Sequence, residues 1–154
     1  MGHRERVWMY YTEEEMLGAL ERATDTINLL TASCTEYTRG FNDCFALLVE
    51  YDLELRGTSK ARDVVTGSWD SVKDWCLQLA RKGYSVESYL QYCNYEIVKD
   101  KRPKIGDIAY YEGGMINNGD FWISTNEENT GVYNRMMKKF YERKIPIIAR
   151  PLRS

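Results

Sequence analysis

Arg39-Gly40-Phe41-Asn42-Asp43-Cys44 runs straight into Phe45-Ala-Leu-Leu-Val-Glu-Tyr51, a glycine-bearing turn followed by an apolar helical run. Cys44, Leu47, Leu48, Tyr51 and Leu55 recur on one side of that helix, and Gly57 supplies its stop. Asn42 or Asp43 can cap it, ordering the loop before it. The cysteine is thereby placed at the first turn of a helix, where free amides and the macrodipole stabilise a thiolate. Cysteine hydrolases need a base as well, and histidine usually serves. The chain has one histidine, His3, which reaches such a site only if the N-terminus folds back over it. The competing reading of Cys44 is a small buried residue at a helix start, since cysteine is among the most buried side chains.

Working outward, the first half reads helical. Thr12-Glu-Glu-Glu15 is a capping box, and Met16, Leu20, Ala23, Ile27 and Leu30 follow at helical spacing. Residues 31–41 read as a turn-rich connection and Thr58 to Gly67 as a polar loop. A third helix is expected from Ser71 to Arg81, with Val72, Trp75, Cys76 and Leu79 as its stripe and Gly83 after it. Ser85 caps a short fourth helix reaching Cys93. Beyond it the period changes. Tyr95 to Val98, Asp107 to Tyr111, Phe121 to Ser124 and Ile145 to Ala149 are strand candidates, rich in β-branched and aromatic residues. Gly113-Gly114, Asn117-Asn118-Gly119 and Glu127 to Gly131 read as turns. Asn134 to Arg143 suits either a short helix or a bent extended segment. Helices first and an antiparallel sheet second define an α+β domain. It is expected over 12–154, preceded by an aromatic arm, 1–11. Trp8, Tyr10 and Tyr11 in that arm either dock a partner or pack across the domain's own sheet.

With 154 residues the chain suits one domain, and a net charge of −2 gives no bulk attraction to nucleic acid. Twelve tyrosines suit either a protein interface or a tyrosine-rich sheet face. Cys34, Cys44, Cys76 and Cys93 contain no C-x-x-C pair, and with a single histidine no zinc constellation can be written. No metal or cofactor is expected. No apolar run approaches the ~20 residues of a membrane span. The opening MGHRERVWMYY is too polar for a signal segment, so reduced thiols in a cytosolic folding environment are expected. Lys99, Lys101, Arg102 and Lys104 cluster around Pro103, and Lys138, Lys139, Arg143 and Lys144 form a second group. Each reads either as a solvated loop or as a contact for phosphate or an acidic partner surface.

The order of a cysteine-bearing helix and a small antiparallel sheet resembles the NlpC-type papain-like cysteine peptidases. Gly40-Phe-Asn-Asp-Cys44 resembles their G-x-x-D-C nucleophile motif. Pro103-Lys-Ile-Gly106-Asp107-Ile-Ala resembles the proline-x-x-Gly-Asp-hydrophobic signature of the first core strand, and Ile145 to Arg150 the closing strand. Leu55-Arg56-Gly57 extends the likeness to a branch encoded in phage tail-gene clusters. The resemblance covers roughly 12–152 and implies a papain-like fold with Cys44 as nucleophile, supported by Asn42, Asp43, Gly106 and Asp107. Asp107 is expected to organise the turn before its strand. The family's histidine opens the second core strand; the matching position here falls near Asn118 or Gly119, and neither is a base. Asp120 lies nearby, but a carboxylate beside a thiol raises its pKa. The resemblance thus implies a pseudoenzyme: a phage tail or tail-tip assembly protein that binds other tail proteins, first in the host cytoplasm and then in the virion. The alternative it leaves is a tail peptidoglycan endopeptidase with Cys44 as nucleophile and an unconventional base.

Overall fold

The computed structural model describes residues 9–33, 45–66, 72–100, 102–110, 114–125, 132–136 and 147–153. The capping box forms as the sequence predicts. The Glu15 amide donates to Thr12 Oγ1 at 3.1 Å and the Thr12 amide to Glu15 Oε1 at 3.0 Å, launching α1 (Glu13–Ser33). Met16, Leu20, Ala23 and Ile27 form its buried stripe. This helix continues through Ser33, into residues expected to be connection; no Gly or Pro interrupts 29–33. Helix α2 (Ala46–Arg56) ends at Gly57, whose φ of +76° suits the left-handed C-cap and whose N–H donates to Leu53 O at 2.9 Å. Helix α3 is Val72–Arg81, and α4 (Val86–Tyr92) opens on a Ser85–Ser88 capping box.

Among the described residues six strands make one sheet: β1 (Tyr95–Ile97), β2 (Ile108–Tyr110), β3 (Gly114–Asn117), β4 (Phe121–Thr125), β5 (Val132–Met136) and β6 (Ile147–Pro151). The order is β1-β6-β2-β3-β4-β5 and every pairing is antiparallel. The protein is an α+β fold. Two strands depart from the sequence reading. β3 is four residues squeezed between turn signals, with Gly114 in the strand instead of the turn. β5 takes the first part of the ambiguous segment in its extended form, as far as Met136.

Helix α2 packs against α1 and lies on β3 and β4, while α4 packs on β1. Leu47, Tyr51, Leu79, Tyr89, Tyr95, Ile108, Ile116 and Ile123 belong to the core between helices and sheet. Each such side chain contributes about 1.5–3 kcal/mol by burial. The loop read as polar adds to this core, since Ala61, Val64 and Val65 are buried. Alternation along the strands puts Ala109, Met115, Trp122 and Ile148 on the opposite face, also buried. The described end of the arm, residues 9–11, packs on the domain. Tyr10 bridges Leu152, its hydroxyl donates to Glu96, and Tyr11 is buried; Trp8 and His3 lie outside the described residues.

Candidate functional site

Asn42, Asp43 and Cys44 lie outside the described residues, so the site is approached from what surrounds the start of α2. Phe45 occupies the N-cap position and makes no side-chain cap. Its ring is buried, stacked on Trp75 at 4.9 Å, and Trp75 meets Tyr89 edge-on at 5.2 Å. Phe45, Leu48, Gly114 and Met115 share the lining of a small apolar void, which puts the first turn of α2 against the start of β3. The middle of the helix faces the other end of that strand. Tyr51 donates to the Gly106 carbonyl at 2.8 Å, and the Gly106 amide donates to Asn117 O at 2.8 Å. Phe45 and Tyr51 are six residues apart, about 9 Å along a helix axis.

Asn118, expected from the resemblance at the histidine position, is among the described residues. Asn118 sits in the turn after β3, where its Oδ1 accepts from the Asp120 amide (3.0 Å) and the Phe121 amide (2.7 Å). Asn117 supports the same turn, accepting from the Gly119 amide at 2.7 Å, and Gly119 takes φ +103°. Asn118 also borders a cleft of about 270 Å³ with Leu17, Glu21 and Asp25 of α1. The strand that follows the Gly-Asp strand begins instead at Gly114. Gly114 shares the void with Phe45 at the start of α2, and β3 reads Gly114-Met-Ile-Asn117, with no titratable side chain.

Asp107 is fully buried. Its Oδ1 and Oδ2 accept from Arg150 Nε (2.8 Å) and Nη2 (2.9 Å), and Oδ2 also accepts from the Lys104 amide (2.8 Å). Burial pushes its carboxyl up, against the pull of Arg150 and the Lys104 amide. Its turn-organising role is thus visible, joined by an ion pair to the closing strand. Gly106 has φ +87°, and a Cβ there would stand 2.3 Å from Met16 Sδ.

A second buried network was not read from the sequence. Asp52 of α2 accepts hydrogen bonds from the Tyr95 hydroxyl and from Ser59 Oγ (2.8 Å). Arg56 approaches it only to 3.9 Å. Arg56 Nη1 donates to the Cys93 and Asn94 carbonyls at 3.3 Å each, and the guanidinium lies 5.1 Å from the Tyr95 ring centroid. Burial raises the Asp52 carboxyl to about 6, opposed by the Tyr95 hydroxyl, Arg56 and Ser59. The Leu55-Arg56-Gly57 string therefore fastens α2 to the start of β1. Cys93 is a buried thiol pushed by desolvation to about 12, far from a reactive thiolate.

The first basic cluster lines a groove of about 930 Å³ beside β1, where Lys99, Arg102 and Lys104 are exposed and Arg150 forms part of the floor. The second, Lys138 to Lys144, lies outside the described residues. Among the described residues no group of three His, Cys, Asp or Glu is placed to hold a metal, and no helix is long and apolar enough to cross a membrane. No protein-family model, curated protein or solved structure matches the chain.

Proposed function

We propose that this chain is a phage tail or tail-tip assembly protein built on a papain-like, NlpC-type domain that has lost its general base. It binds other tail proteins, first in the host cytoplasm and then in the virion. One observation carries the reading: the residues that resemble a peptidase are spent on architecture. Asp107 and Arg150 are locked together, Arg56 caps carbonyls, and Gly106 is wedged against Met16. β3, which meets the start of α2 at Phe45, offers only Gly114, Met115, Ile116 and Asn117. Loss of general acid–base assistance alone removes a factor of roughly 10²–10⁴ in rate. A domain that keeps the joints and lacks the base is suited to present surfaces.

The test is Cys44→Ala in the phage. The expected result is normal tail assembly and normal infectivity. Normal assembly with infectivity lost would overturn the reading in favour of the tail endopeptidase, in which Cys44 attacks a cell-wall peptide.

A further inference from the structure

Among the described residues the sheet ends at β1, and no strand pairs with its outer side. The Val98 amide donates to Ile148 O at 2.8 Å and the Leu152 amide to Asn94 O at 3.0 Å. In an antiparallel ladder these bonds fix the alternation: residues 94, 96 and 98 face β6, so the N–H and C=O groups of Tyr95 and Ile97 point away from it. Those groups flank two clefts that meet at Gln91, Ile97, Val98 and Lys99, one of about 930 Å³ and one of about 250 Å³. A loop carrying exposed Lys99, Arg102 and Lys104 forms the rim. It is held in place at both ends, by the Arg102 amide on Asp100 Oδ1 (3.0 Å) and the Lys104 amide on Asp107 Oδ2 (2.8 Å). Of the acidic groups in the larger cleft, Glu96 is engaged by the Tyr10 hydroxyl and Asp100 by that turn; exposed Glu87 lines the smaller one.

We infer that the β1 edge and its basic rim form a docking groove for an acidic, extended segment of a partner protein, which adds as a strand beside β1. The outward-pointing edge groups supply the affinity of strand addition, and the local positive rim on a chain of net charge −2 selects acidic side chains. Half-buried Ile97, Val98 and Leu152 give the apolar floor that alternate side chains of a strand would cover. A nucleic acid fits less well. Tyr95 is fully buried and the Tyr10 ring lies 5.8 Å from Arg150, so neither offers a free face for base stacking. The inference rests on the assembly reading only for the partner's origin, a tail protein.

The probe is a short labelled peptide of alternating Glu and Val, with its Lys–Val counterpart and oligo-dT as competitors, followed by anisotropy and by amide hydrogen exchange on the full chain. The expected result is saturable binding of the acidic peptide and slowed exchange at Tyr95 and Ile97. Lys99→Glu/Arg102→Glu should weaken binding by about tenfold or more. Ile97→Pro, which removes an outward N–H and leaves the β6 ladder intact, should abolish it while the melting transition persists. No saturable binding, equal binding of the Lys–Val peptide, preferential binding of oligo-dT, or binding without slowed exchange at Tyr95 and Ile97 each overturns the inference. The double charge reversal leaves Cys44 untouched, so its alkylation rate reads the pseudoenzyme proposal separately.

Discussion

Two buried aspartates each face an arginine, and the pairs are built in opposite ways. Asp107 meets Arg150 fork to fork, with both oxygens engaged at 2.8 and 2.9 Å. Asp52 takes its hydrogen bonds from hydroxyls, and Arg56 stands 3.9 Å away, with no hydrogen-bond acceptor for Nε or Nη2 among the described residues. The first pair joins the turn before β2 to β6 in the middle of the sheet. The second joins the end of α2 to β1 at its edge. A bidentate pair compensates a buried carboxylate directly, whereas a carboxylate held by hydroxyls drifts towards its neutral form, here with a pKa of about 6. Both pairs include residues that resemble peptidase motifs, and each is a joint.

The largest expected effect is at the fork. Arg150→Met leaves Asp107 buried and uncompensated, and should cost about 3–5 kcal/mol in denaturant unfolding. A loss below about 1 kcal/mol would mean that the fork is not what holds the sheet centre. Next comes its neighbour: Gly106→Ala combines a positive φ with a clash at Met16 and should cost about 2–4 kcal/mol, read as a lowered melting temperature.

The hydroxyl-held pair should show itself through pH. The folded state holds the Asp52 proton more tightly than the unfolded chain, so wild-type stability relative to Asp52→Asn should grow as pH falls from about 6 towards 3.8. The gain over that window is about 2–3 kcal/mol, and above pH 6 the difference should be flat. A difference that shrinks on acidification would erase the contrast between the two pairs. The smallest effect is at the surface. Arg153 and Glu15 form a half-exposed pair, and Glu15→Gln should change stability by less than about 1 kcal/mol.

Local chemistry in the sequence announces much of this fold. Thr12 with Glu15, Gly57 and Ser85 mark helix ends that the structure reproduces. β-Branched and aromatic runs locate β1, β2, β4 and β6. β3 escapes because four residues between two turn signals carry no visible period. It starts at Gly114, against Phe45 and Leu48 of α2, and Asn118 stands in the turn that follows it. Asp52 and Arg56 escape for a different reason. In Asp52-Leu-Glu-Leu-Arg56 they resemble an ordinary solvated helix pair, and only packing against Tyr95 buries them. The basic cluster around Pro103 is plain in the sequence, but its place beside an open edge depends on β6 inserting between β1 and β2.

The central claim is that the cysteine motif persists without its chemistry, and the rate of Cys44 alkylation against pH tests it most directly. The account predicts that the component removed by Cys44→Ser rises only with an ordinary thiol pKa of about 8.5. Fast alkylation at about pH 6–7 that disappears in Cys44→Ser would reveal a poised thiolate and contradict it.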